Sequence, residues 1–194
     1  MNLCDAPPDA VLASRAAKGD ERAFADLVRR HKDPLYRLLR RYTGDADEAY
    51  EAAHEAFIAA WIAIRRYDPQ RPFLAWLRTI AINKARDRGR RIAFHRFLFG
   101  SDSLEKSGAM AEPDTASRAD ETVIARQEAV ILDRAVARLP APLKEALLLT
   151  TFDGWSQQEA GDILGVSTKT IETRVYRARK ILATTLDRDL KPKA

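Results

Sequence analysis

Apolar residues recur along this chain in steps of three and four, a spacing that admits helices and argues against a sheet. Phe24, Leu27, Val28, Leu35, Leu38 and Leu39 follow it, as do Ala49, Ala53, Phe57, Ala60 and Ile64, so each set falls on one face of a helix. Long alternations of Val, Ile and Thr, the mark of half-buried strands, are absent. Asp20 is placed to cap the first long helix and Pro34 to kink it. A second long helix is expected to follow Thr43-Gly44 and to run to about Tyr67. Asp68-Pro69 and Arg71-Pro72 mark a turn, with Pro72 suited to the first position of a third helix. That helix would bury Phe73, Trp76, Leu77 and Ile80 and then become strongly basic.

Between residues 100 and 122 the character changes. Ser, Gly, Ala and Pro dominate, and six acids (Asp102, Glu105, Glu112, Asp114, Asp120, Glu121) stand against two bases (Lys106, Arg118). Such a composition cannot bury enough apolar surface to offset its chain entropy, and it reads as a flexible acidic linker. Helical spacing resumes at Val123 and leads through Val130, Ala137 and Leu139 to Pro140. The expected fold is all-α: two small helical domains, residues 8–97 and 123–187, joined by a linker over 98–122, the C-terminal domain carrying a helix-turn-helix.

The turn is written in SQQEAGDILGVSTKTIETRVYRARKIL, from residue 156. Ser156 and Glu159 have capping-box spacing, so a helix starts there and carries Ala160, Ile163 and Leu164 inward. Gly165 ends it, since glycine alone takes positive φ without steric cost, and Ser167 can cap the next helix. Ile171, Val175, Ala178 and Leu182 form that helix's apolar stripe. Lys169, Glu172, Thr173, Tyr176, Arg177 and Lys180 then lie on the opposite side. From 168 to 182 five bases face the single acid Glu172, and a helix-turn-helix with excess positive charge points to DNA. Arg177 is expected at a base edge, with Glu172 accepting from a cytosine amino group. Arg174, Arg179 and Lys180 suit phosphates.

A second basic segment lies in the first domain. From 78 to 96 seven bases (Arg78, Lys84, Arg86, Arg88, Arg90, Arg91, Arg96) face one acid, Asp87. Tyr67, Phe73 and Trp76 stand just upstream, and bases beside aromatic rings suit single-stranded nucleic acid. Phe73 and Trp76 have core roles to fill as well. The net charge of +5 over 194 residues agrees with a polyanionic partner.

These two blocks carry a resemblance. The segment LPAPLKEALLLTTFDGWSQQEAGDILGVSTKTIETRVYRARKIL is similar to the C-terminal domain of extracytoplasmic-function sigma factors of the sigma-70 family, and YDPQRPFLAWLRTIAINKARDRGRR resembles their second conserved region. AFADLVRRH and EAFIAAW resemble the helices before it. Glu51-Ala52-Ala53-His54 stands where the family usually has Asp-Leu-Val-Gln, Gly161 where it usually has Ala, and Glu172 where several members have a base. The resemblance implies a subunit that binds core RNA polymerase and chooses promoters. The first domain would read and open the −10 element through Arg78, Asn83, Lys84, Arg86, Arg90 and Arg91. The second would read the −35 element through Lys169, Thr170, Glu172, Thr173, Arg174, Tyr176, Arg177, Arg179 and Lys180. Asp47, Glu48, Glu51, His54 and Glu55 would dock on the coiled-coil clamp of the polymerase β′ subunit, with the β subunit as a further contact. The linker would thread towards the polymerase cleft, and an anti-sigma factor would hold the protein inactive.

Other chemistries fit less well. Glu51 and His54 have the Glu-x-x-His spacing of di-iron bundles, but those need a second such pair and two more glutamates. His31 and His95 belong to no metal motif, no Gly-rich phosphate loop or nucleophile elbow is present, and Cys4 is the sole cysteine. Neither cofactor nor metal nor catalysis by the chain itself is expected. The opening residues lack a signal pattern and no apolar run reaches membrane-spanning length, so a cytoplasmic protein without direct membrane insertion is expected. A free-standing helix-turn-helix regulator explains residues 156–182 but leaves the basic segment and the acidic tether without a role.

Overall fold

The structure is a computed structural model that describes residues 7–99 and 121–190. Every regular element among them is helical: α1 (Asp9–Ala17), α2 (Glu21–Thr43), α3 (Ala46–Ala63), α4 (Phe73–Phe99), α5 (Glu121–Ala137), α6 (Ala141–Leu147), α7 (Gln157–Leu164) and α8 (Thr168–Leu190). The expected linker falls mostly outside the described residues, as does Cys4.

The N-terminal unit is α1–α4. Asp20 caps α2 by accepting from the Ala23 amide at 3.1 Å, and Asp45 caps α3 by accepting from Glu48 at 2.8 Å, each cap stabilising by about 1 kcal/mol. Pro34 lies inside α2, which continues through it. At the end of α2, Gly44 takes φ +76° and its N–H reaches the Arg40 carbonyl, closing the helix as a left-handed cap. The buried face of α3 is made of Ala49, Ala52, Ala53, Ala56, Phe57 and Ala60, and these small side chains let it approach α2 and α4 closely. The helix ends at Ala63 rather than near Tyr67, and a tight 3₁₀ turn, Ile64–Arg66, buries Ile64 before the chain leaves. Pro72 stands one residue before α4, its carbonyl accepting from Ala75 and Trp76. It is therefore the cap and not the first helical residue.

Leu27, Leu35, Leu39, Phe73, Leu77 and Ile82 fill the centre of this unit. Tyr67, Phe73 and Trp76 pack with ring centroids 5.2–5.6 Å apart. His31 completes the cluster 5.5 Å from Phe73, and its Nε2 lies 2.8 Å from Asp9 on α1. Burial pulls the His31 pKa below its ordinary value in spite of that carboxylate.

The C-terminal unit is α5–α8 around Val136, Leu148, Leu149 and Ile171. Between α6 and α7 the chain widens into a π-helical turn, Leu148–Phe152, whose first two leucines are buried. The sequence carries no sign of this turn. The two units pack on one another, α2 against α5 and the π turn, α4 against α7.

Candidate nucleic-acid interface

The helix-turn-helix forms as its sequence dictates. Ser156 accepts from the Glu159 amide while the Glu159 carboxylate accepts from the Ser156 N–H at 2.9 Å, and the Ser156 hydroxyl, at 2.6 Å, together with that N–H holds the Glu159 pKa low. Gly165 ends α7 at φ +67°, and the Ser167 hydroxyl accepts from Thr170 N–H to open α8. Thr168 on α8 donates to Gln158 on α7 at 2.7 Å, fixing the angle between the helices from the solvent side. Ile171, Val175, Ala178 and Leu182 are all buried.

With that stripe inward, Lys169, Glu172, Thr173, Tyr176, Arg177, Arg179 and Lys180 are exposed, and Thr170 and Arg174 are half-buried. Tyr176 keeps 68% of its surface, enough to lie along a groove. Lys169 pairs with Glu172 at 2.9 Å, so part of the charge excess is quenched locally. The Thr173 hydroxyl bonds back to the Lys169 carbonyl and that of Thr170 lies 2.9 Å from Ser167, so the threonines offer mainly methyl groups outward.

On α4 the expected single-strand residues divide. Asn83, Arg90 and Arg91 are exposed and Lys84 half-buried. Arg78 is 3% exposed, with its guanidinium on Asp153 and over the Trp155 ring at 5.8 Å. Arg86 binds the buried Glu145 through both Nε, at 2.6 Å, and Nη2, and its Nη1 donates to Asn83 at 3.3 Å. The hydrogen bonds to Glu145 push the Arg86 pKa up. The upstream aromatics belong to the core, with Tyr67 and Phe73 buried and Trp76 half-buried. Among the described residues, Phe94, at 63%, and Phe97, at 85%, are exposed phenyl rings on this helix. Sequence reasoning passed over these two, although Phe94 stands one turn and Phe97 about two turns beyond Arg90.

The acidic face of α3 is also divided. Asp47, Glu51 and His54 are exposed. Glu48 and Glu55 are half-buried and share Arg88 of α4, at 2.7 and 3.1 Å, and the bond to Glu48 raises the Arg88 pKa. The partner expected from outside is thus supplied for these two from within. Tyr50, Ile58 and Ile62 stand exposed on the same helix, adding apolar surface beside Glu51 and His54.

Among the described residues no group of three or more His, Cys, Asp or Glu is placed to hold a metal ion, and no helix is long and apolar enough to cross a membrane. A cleft between the units is lined by Thr79, Ile82, Asn83 and Arg86 of α4 and by Asp162, Ile163, Leu164 and Gly165 of the helix-turn-helix.

Comparison with known proteins follows this geometry. A family model described as Sigma-70 region 2 matches residues 27–94, and one described as Sigma-70, region 4 matches residues 129–182. The chain is 38% identical to the RNA polymerase sigma factor CnrH of Cupriavidus metallidurans, over 97% of this chain and 98% of that one. It is 33% identical to the ECF RNA polymerase sigma factor SigW of Bacillus subtilis, over 89% and 93%. The solved structure of CnrH in complex with the cytosolic domain of CnrY aligns with a TM-score of 0.67 at 33% identity, covering 93% of this chain and 98% of that one. The sigma factor RpoE of Bartonella quintana, solved in complex with the anti-sigma factor NepR, has the same fold at 23% identity, with a TM-score of 0.68 over 84% and 96%.

Proposed function

Because the chain belongs to the extracytoplasmic-function group of the sigma-70 family, we propose that it binds core RNA polymerase in the cytoplasm and directs it to a set of promoters. Residues 8–97 serve polymerase binding and the −10 element, residues 98–122 form the connector, and residues 123–187 serve the −35 element. The observation that carries the reading is the outward face of α8, with Lys169, Tyr176, Arg177, Arg179 and Lys180 exposed on a helix whose opposite stripe is buried. A helix so presented fits the major groove, with Arg177 at a base edge and Arg174, Arg179 and Lys180 near phosphates.

Asn83 is exposed on α4, where its amide can both donate to and accept from an unpaired base. Arg90 and Arg91 lie farther along for the strand backbone. Asp47, Glu51 and His54 offer the exposed part of the polymerase-docking face, bordered by Glu48 and Glu55. The chain performs no catalysis, since bond formation belongs to the polymerase. A protein partner that holds it inactive is supported by the likeness to CnrH, whose solved structure includes the cytosolic domain of CnrY. Run-off transcription with purified core polymerase tests the whole reading. Promoter-dependent transcripts of defined start are expected, and their absence across promoters bound by the chain would leave a DNA-binding regulator instead.

A further inference from the structure

On α8 the exposed Thr173 lies opposite the buried stripe of Ile171, Val175, Ala178 and Leu182, counting about 100° per residue. Thr173 is therefore the side chain that reaches deepest when this face enters a groove. Lys169 and Arg177, both exposed, stand about one turn before it and about one turn after it. The Thr173 hydroxyl is already committed, since it donates to the Lys169 carbonyl at 2.9 Å. Thr170, half-buried on the same side, has its hydroxyl 2.9 Å from that of Ser167. Glu172 sits about 100° round from Thr173, and Lys169 Nζ donates to it at 2.9 Å. The apex of the face thus carries a methyl group, and the acid beside it is neutralised from within the helix.

We infer that Thr173 is a specificity-determining residue of α8 and reads thymine, its methyl meeting the thymine C5 methyl in the major groove. The inference rests on the reading of α8 as the −35 helix. The thymine methyl is the apolar group that base edges present in the major groove, where the other groups that tell the bases apart donate or accept hydrogen bonds. A side chain whose hydroxyl is spent has nothing to offer those donors and acceptors, and covering them would strip their water without return. Against thymine, two methyl groups leave water together, and that burial is favourable. Glu172 is the competing reader, through a cytosine amino group. Its ion pair with Lys169 and its place on the flank of the helix turn it away from the groove floor. With Arg177 one turn on and suited to guanine, the face calls for a thymine close to the base that Arg177 meets.

The test uses holoenzyme assembled from the full chain and core RNA polymerase, with promoter duplexes selected from a library randomised across the −35 region. Thymines of the selected sequence are then replaced one at a time by deoxyuridine, which lacks only the methyl group. One replacement is expected to lower affinity about fourfold, the worth of one buried methyl. Thr173→Ser keeps the hydroxyl and loses the methyl. It is expected to bind the thymine duplex with a similar loss and to be indifferent to that deoxyuridine. Thr173→Val keeps a methyl and loses the hydroxyl, and is expected to retain both the affinity and the deoxyuridine effect. A selected sequence in which no deoxyuridine weakens binding, or which holds no thymine, overturns the inference. So does a Thr173→Ser chain that still senses the replacement, and a Thr173→Val chain that loses binding would make the hydroxyl the reader and overturn it too. A library that yields no preferred −35 sequence overturns the reading of α8 itself, so the two failures are told apart.

Discussion

At the scale of single residues, Gly161 shows how one atom decides a substitution. A Cβ on Gly161 would stand 2.7 Å from the Val166 carbonyl oxygen, and that carbonyl belongs to the turn of the helix-turn-helix. Alanine would add about 1 kcal/mol of helix propensity, but a clash with fixed backbone costs about 1–3 kcal/mol. Gly161→Ala is therefore expected to lower the thermal unfolding midpoint, which a melting curve checks. Lys144 supplies a pH dependence. Burial pulls its pKa down to about 8 from the ordinary 10.5, so the folded state holds this proton less tightly than the unfolded chain. The cost of the buried cation is fully present below about pH 8 and is relieved as pH rises towards the ordinary lysine value. Unfolding free energies of the native chain and Lys144→Met should thus differ with a slope over that window and run parallel below it. On α8, Arg177→Ala is expected to weaken binding to a promoter duplex by about 1–3 kcal/mol and to relax preference at one or two positions. A competition assay over base-substituted duplexes measures both.

At the scale of elements, local chemistry was legible and distant pairing was not. The caps at Asp20, Ser156 and Ser167, the stop at Gly165 and the buried stripe of α8 all follow from contacts within a few residues. Counting charges along α4 treated each cation as available. Arg78 and Arg86 instead meet acids 75 and 59 residues away, and no periodicity records such a pairing. The same holds for α3, where Asp47, Glu51 and Glu55 fall on successive turns and were all expected to face the polymerase. Glu48 and Glu55 are committed to Arg88, which leaves Glu51 as the exposed carboxylate between them. Glu51→Lys is accordingly expected to weaken binding to core polymerase with no loss of helicity, because the substitution breaks no ion pair to α4. Glu55→Lys should disturb α4 as well, since it sets a like charge against Arg88. Titration with core polymerase alongside circular dichroism distinguishes the two variants.

At the scale of the whole molecule, the all-helical architecture was readable from spacing alone, while the seam between the units depends on groups that meet only after each unit has folded. Gly44 lies on that seam. A Cβ there would come within 2.7 Å of the Ala137 Cβ, and the residue also holds φ +76°, so the cap of α2 and the approach of α5 require the same glycine. The seam also has a consequence in time. If strand binding waits for Arg86 to leave Glu145, the association rate cannot rise indefinitely with DNA concentration. In stopped-flow mixing, the observed rate of the native chain should climb and then level off at the rate of opening, as a conformational step that limits binding requires. The Glu145→Gln, Asp153→Asn chain should instead give a rate that stays linear in DNA over the same range. The height of the native plateau would then be the tempo of the fold itself, set by two carboxylates and independent of how much promoter is present.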